Sequence, residues 1–119
     1  MAIKRYTASV DTTITNAFMR DLNTRATGAN MGAADVLEVY SIYGQASTGS
    51  VELSRVLIKF PTAQISDDRT AGDVPASGSV NFYLRMFNAR HGLTTPRNFT
   101  LEVLPISTDW EEGVGLDMD

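Results

Sequence analysis

The sequence of 119 residues contains no cysteine, one histidine and one tryptophan. The absence of cysteine excludes a disulfide scaffold and any metal site built from thiolates. No stretch approaches the ~20 apolar residues that a membrane span requires, and the start of the chain lacks the apolar run of a signal peptide. We therefore expect a protein that is soluble as made and has no membrane partner.

Positive charge is also scarce and dispersed. Ten lysine and arginine residues stand against fourteen aspartate and glutamate residues, which gives a net charge of -4. Nonspecific binding to nucleic acid requires a clustered basic surface that displaces phosphate counterions. The sequence therefore predicts that nucleic acid is not a partner.

Segments in which apolar and polar residues alternate dominate the chain. This period of two residues is typical of half-buried β-strands. In the strongest segment, residues 79–87, Phe82, Leu84 and Met86 share one face while Tyr83 and Arg85 share the other. The predicted strands are residues 3–9, 12–18, 36–43, 52–60, 79–87 and 98–106.

Small, polar, glycine-rich stretches separate these strands, at residues 24–35, 44–50 and 71–78. Residues 61–69 begin with Pro61 and continue with fair helix formers, which predicts one short helical turn. Strands at this spacing, joined by loops rather than crossover helices, favour an all-β fold. We predict a single domain over residues 1–119 that forms an antiparallel β-sandwich or jelly roll, with a core large enough to need no crosslinks.

The end of the chain is acidic. Residues 107–119 contain Trp110 and five carboxylates, with no lysine or arginine among them. Paired carboxylates such as Asp109, Glu111 and Glu112 could share the acid and nucleophile roles of a glycosidase. A solvated acidic loop explains the same cluster, and we favour a protein that is not an enzyme.

Calcium and sugars are the ligands that the residue types allow. Asp11, Asp35 and Asp109 adjoin predicted strand ends, where loops could supply the six to eight oxygens that calcium takes. Tyr40, Tyr43 and Trp110 could form a stacking platform for sugar rings. The same aromatic residues could equally belong to the core and rim of a sandwich.

Two other features have simpler interpretations. His91 lies in the polar loop 88–98 and is expected to be exposed. The glycines of GANMG, residues 28–32, lack the lysine and the context of a phosphate-binding loop. We expect them to permit tight turns.

Five segments resemble, in order, the pattern of DNRLRE-type β-sandwich domains: VDTTI (10–14), GANMGAADVLEV (28–39), SRVLIKFP (54–61), SVNFYLRMF (79–87) and DWEEG (109–113). The resemblance implies that Arg55 and Phe60 anchor the strand packing and that Trp110 packs at a corner. It also implies that Glu111 and Glu112 accept hydrogen bonds from nearby backbone or from Arg55. No sugar-binding residue of the family maps onto this chain.

Three stretches are similar to structural proteins of marine contractile-tailed bacteriophages: MAIKRYTA (1–8), TGANMGAADVLEVYSIYG (27–44) and SDDRTAG (66–72). This similarity implies a virion component, assembled in the host cytoplasm, such as a capsid decoration or a tail or fibre protein. Its partners would be other phage structural proteins and further copies of itself. No cofactor is implied beyond a structural calcium ion.

A carbohydrate-binding module that contacts a host-surface glycan is the alternative, and a glycan-cleaving enzyme is a third reading. The family pattern continues beyond the Trp-Glu-Gly corner with a further strand, whereas this sequence stops at Asp119. We therefore expect residues 1–119 to be the amino-terminal part of a longer protein and residues 113–119 to be a solvated connector.

Overall fold

A computed structural model of the chain describes residues 3–116. Three strands form the sheet, β1 (Val10–Thr15), β2 (Ser41–Tyr43) and β3 (Val51–Lys59), and one helix follows them, α1 (Thr62–Ala71). The chain divides into two units: residues 3–81 together with 112–116, and residues 82–111. The first unit is a small sheet-rich fold.

The three strands form one antiparallel sheet in the order β1-β3-β2. Strand β3 is the longest and lies in the centre, where Thr13 pairs with Val56 and Ile42 pairs with Glu52. A glycine-rich loop over residues 44–50 joins β2 to β3. The prediction of antiparallel strands in this part of the chain is confirmed.

Hydrogen bonds between side chains and the backbone make β1 and β2 shorter than the alternation predicts. The hydroxyl of Thr15 donates to the carbonyl of Leu53 at 2.7 Å, and the side-chain oxygen of Asn16 accepts from Leu53 N–H at 2.7 Å. The hydroxyl of Thr13 accepts from Glu38 N–H at 2.9 Å. Because Thr and Asn side chains compete for backbone groups, β1 ends at Thr15 and β2 begins only at Ser41.

Helix α1 is longer than the single turn predicted for residues 61–69. Pro61 precedes it, it ends at Ala71, and the next residue, Gly72, has a left-handed φ of 85°. Asp73 N–H then donates to the carbonyl of Asp68 at 2.9 Å. Proline at the start and glycine after the end are the usual punctuation of a helix, and both were present in the sequence.

Residues 3–9, predicted as an opening strand, belong to no strand, and β1 begins at Val10. The ammonium of Lys4 contacts Asp68 at 2.8 Å and Asp73 at 3.1 Å, while the hydroxyl of Tyr6 donates to Asp68 at 2.7 Å. Residues two apart in an extended segment point the same way, so Lys4 and Tyr6 both reach α1. This segment is therefore held by the helix.

The segments predicted as strands at residues 79–87 and 98–106 form no ladder. An alternating pattern specifies which side chains share a face, but a strand also needs a neighbouring backbone to bond with. An isolated pair of strands is at best marginally stable in water. Residues 82–111 contain no such neighbour within their own unit.

The core within the described residues is small. Its buried apolar side chains are Ala17, Ala26, Met31 and Val74, and no large side chain is fully buried. Thr12, Thr13, Glu52 and Ser54 are buried as well, so part of the sheet surface is covered but polar. The expectation of a sizeable core is wrong for this chain taken alone, because the apolar side chains of residues 82–106 remain in solvent.

Candidate functional site

Two glycine-bearing stretches lie backbone against backbone in the first unit. Ala33 N–H donates to the carbonyl of Gly115 at 2.8 Å, and Gly115 N–H donates to the side-chain oxygen of Asn30 at 2.9 Å. The same oxygen of Asn30 accepts from Gly32 N–H at 3.1 Å. We call Asn30, Gly32, Ala33, Gly113 and Gly115 the Asn30 clasp.

Close approach is the reason for glycine in the clasp. A Cβ atom on Gly32 would overlap the carbonyl oxygen of Glu112, and one on Gly113 or Gly115 would overlap Asn30. By contrast, a Cβ on Gly28 would meet nothing within 4 Å. Gly32 does lie in a tight turn, which Ala34 N–H closes by donating to the carbonyl of Met31 at 3.1 Å, and its lack of a side chain also leaves room for a neighbouring backbone.

Glu112 closes the outer edge of β1. Its Oε1 accepts from Asp11 N–H at 2.9 Å, on the side of β1 that faces away from β3. This is the acceptor role expected for Glu112, with a backbone donor rather than Arg55. A carboxylate on an edge N–H satisfies a donor that would otherwise be open to another strand. Glu111, the neighbouring acidic residue, is exposed.

The clasp corrects the expectation of a solvated end. Residues 113–115 bond to the loop that contains Asn30, whereas residues 117–119 lie outside the described residues. The chain therefore leaves the first unit after Asn81 and rejoins it at Glu112. Residues 82–111 are anchored to a folded unit at both ends.

The segment of residues 82–111 exposes large apolar side chains throughout its length. Those at the alternating positions of the two predicted strands are between 41% and 74% exposed: Phe82, Leu84, Met86, Phe99, Leu101 and Val103. Singly exposed apolar residues are normal on proteins, but an exposed series of this length marks an interaction surface. We regard this segment as the principal candidate site.

Trp110 and its acidic neighbours belong to this segment. Trp110 is half-buried, and its backbone N–H donates to Oδ1 of Asp109 at 3.0 Å. The ring nitrogens of His91 contact Leu93 N–H at 3.2 Å and the hydroxyl of Thr95 at 3.3 Å, while the residue remains exposed as expected. These contacts are local and organise the loop.

Arg55 lies on an exposed face of the sheet. It is opposite Ile14 in the β1–β3 pair and lines a shallow hollow with Ile14, Thr15, Asn16 and Leu53. Phe60 follows β3 and is half-buried. The role of Arg55 and Phe60 as anchors of the strand packing stays a prediction.

The two tyrosines proposed as a sugar platform point to opposite faces of the sheet. Tyr40 bonds through its hydroxyl to the hydroxyl of Thr15 at 2.5 Å, across β3. Tyr43, three residues further along, is 74% exposed on the other face. Because side chains alternate along a strand, Tyr40 and Tyr43 cannot stack on one sugar.

A calcium site at Asp11, Asp35 and Asp109 stays a prediction. Asp11 is half-buried in β1 and Asp35 is exposed in the following loop. Over residues 3–116, no three acidic or histidine side chains lie close enough to hold a metal ion.

The sheet contains a buried carboxylate, that of Glu52. Glu52 is only 3% exposed, and its Oε1 accepts from Phe18 N–H at 2.8 Å. Its Oε2 has no hydrogen-bond partner among the described residues. The alternation places Glu52 on the same face of β3 as Val56 and Ile58, whereas its charge alone would have placed it in solvent.

The attachment of residues 3–8 to α1 is electrostatic. The hydrogen bond from Lys4 lowers the pKa of Asp68, and its hydrogen bonds to Asp68 and Asp73 raise the pKa of Lys4 to about 12. The pKa of Tyr6 is raised, mainly because its phenol is partly removed from water and secondly because it donates a hydrogen bond to Asp68. The shifts of Asp68 and Lys4 favour the ionised forms of both groups, so their contact is strongest between these two titrations.

The one helix in the described part of the chain, α1, is too short to cross a bilayer. Searches of family models, curated proteins and solved structures find no match to the chain.

Proposed function

We propose that this chain is a non-enzymatic structural protein of a phage particle, in which neighbouring subunits cover the exposed apolar residues of segment 82–111. The observation that carries the proposal is the contrast between that exposed segment and a first unit with no fully buried large side chain. Such a chain gains most of its apolar burial on assembly.

The β-sandwich belongs to the same proposal. The alternation in residues 79–87 and 98–106 suits strands of a second sheet, which would pack on the sheet of β1, β2 and β3 once the segments are paired. The resemblance to DNRLRE-type domains supports this arrangement, since its pattern includes both the central strand of Arg55 and the corner of Trp110. Virion assembly would then complete the fold.

A cryo-EM reconstruction of the intact particle tests the proposal. We expect density for this chain in a regular array, with residues 82–111 in contact with neighbouring subunits. Purified particles that lack the chain, while the infected cell contains it free in solution, would contradict the proposal.

Glycan binding is the second candidate, and it is supported by Tyr43. The ring is 74% exposed beside Val51, its partner across the β2–β3 pair. Aromatic rings of this kind stack on the apolar face of sugars. Titration with host polysaccharide should then change tyrosine fluorescence in the wild type and leave Tyr43→Ala unchanged; an equal response of both would remove this candidate.

A further inference from the structure

Segment 82–111 exposes apolar side chains along most of its length. Eleven large ones are at least 41% exposed, among them Phe82, Met86, Phe99 and Val103. Obligate interfaces are the large and more hydrophobic class of protein interfaces, and they bury roughly 2,000–5,000 Å² in total. An exposed apolar series of this kind is therefore suited to a permanent partner.

Charge within segment 82–111 is divided by position. Residues 82–98 contain Arg85, Arg90 and Arg97 and no carboxylate. Residues 99–111 contain Glu102, Asp109 and Glu111 and no lysine or arginine. The basic half of one segment is thus complementary to the acidic half of another, and each half repels its own kind.

The apolar pattern selects a register that agrees with the charges. An antiparallel pairing that sets Arg85 opposite Glu102 also sets Leu84 opposite Val103 and Met86 opposite Leu101. Directly opposed residues in such a pair lie on the same face. One register therefore brings together the apolar side chains on one face and the opposite charges on the other.

A second copy of the chain is the partner that this pattern fits best. Within one chain the two halves of the segment do not form a ladder. One pair of strands alone is marginal, whereas two copies supply two such pairs, whose apolar faces can pack against each other. A two-fold axis makes each basic half meet the acidic half of the other copy.

We infer that segment 82–111 pairs with the same segment of a second copy, residues 82–87 of one copy lying antiparallel to residues 100–105 of the other. This inference rests on the proposed function, because it names the neighbour that covers the segment. The dimer is the unit that would then be placed in the particle.

Charge reversal followed by mixing tests the inference in solution. Arg85→Glu and Glu102→Arg each place two like-charged pairs in a homodimer, so we expect sedimentation equilibrium to show dimerisation weakened by about tenfold or more. An equimolar mixture of the two variants restores both opposite-charge pairs and should dimerise like the wild type. Arg20→Glu, at an exposed position of the first unit, is the matched control and should change little.

Three results overturn the inference. The wild type could sediment as a monomer at every concentration, or the mixture could dimerise no better than the single variants. In the third result, the double variant Arg85→Glu/Glu102→Arg recovers stability as a monomer, which would mean that the halves pair within one chain.

Failure of this inference and failure of the proposed function are distinguishable. If the chain occupies the particle but residues 82–111 contact a different protein, only the dimer is wrong. If charge-reversed variants dimerise only when mixed and the particle nevertheless lacks the chain, only the virion role is wrong.

Discussion

Gly32→Ala is the sharpest test of the Asn30 clasp. The backbone of Gly32 is not left-handed, so alanine can adopt its conformation, but the new methyl group would overlap the carbonyl oxygen of Glu112. Gly28→Ala, in the same loop, adds a methyl group with nothing within 4 Å. The two variants therefore differ in steric overlap and in little else.

The expected loss of stability has a lower and an upper bound. If the backbones shift enough to admit the methyl group, overpacking costs about 1–3 kcal/mol. If residues 112–115 detach, the clasp loses two neutral hydrogen bonds, at about 1 kcal/mol each, and the bond to the Glu112 carboxylate, at about 2 kcal/mol. Gly32→Ala should thus destabilise the chain by about 1–4 kcal/mol.

Urea unfolding followed by circular dichroism measures this difference. Gly28→Ala should be neutral or more stable by up to about 1 kcal/mol, because alanine reduces the freedom of the unfolded chain. Hydrogen exchange at the amides of Ala33 and Gly115 should accelerate in Gly32→Ala alone. Unfolding free energies of the two variants within about 0.5 kcal/mol of each other, with equal exchange at these amides, would refute the steric role of Gly32.

Three further predictions concern the same unit. Gly113→Ala should destabilise by at least about 1 kcal/mol more than Gly44→Ala in urea unfolding, because both glycines have positive φ, 81° and 75°, but only Gly113 adjoins another side chain; equal losses would mean that φ alone matters. Asp68→Asn should remove stability that the wild type has above pH 3.8 and loses as pH falls through the lowered pKa of Asp68; a difference in urea midpoint that is constant from pH 2 to 7 would contradict the contact with Lys4. Glu112→Ala should cost about 2 kcal/mol and speed hydrogen exchange at the β1 edge; unchanged exchange there would show that the edge needs no acceptor.

Sequence reasoning succeeds in this protein where the signal is local. The alternation over residues 52–60 matches β3 to within one residue at each end, and Pro61 with Gly72 brackets α1. Both signals depend on a few neighbouring residues, whose sterics and side-chain faces are the same in any surrounding. The hairpin between β2 and β3 is similarly local.

The Asn30 clasp was not predicted because its partners are about eighty residues apart. The sequence does not distinguish a glycine that permits a turn from a glycine that leaves room for a neighbouring backbone. The spacing of Gly113 and Gly115 was the available signal, since closely spaced glycines can mark a site of backbone approach. Only the position of Asn30 against them shows which role they have.

Segment 82–111 also shows what the sequence does not predict, although here the sequence pattern is strong. Its alternation is among the strongest in the chain, yet it forms no ladder within its unit. Alternation determines that Leu84 and Met86 share a face, which is a property of the extended backbone itself. It does not determine which backbone will accept the hydrogen bonds, because that partner is distant in sequence or belongs to another molecule.

The sequence by itself determined the β-rich character of the chain, the helix α1 and the faces of the strands, since these follow from local sterics and periodicity. The tertiary structure alone decided that Glu112 closes the edge of β1, that Gly32 must lack a side chain, and that residues 3–8 attach to α1. Each of these depends on a contact between distant residues. Such contacts form only when the free energy of packing exceeds the entropy of closing the loops between them.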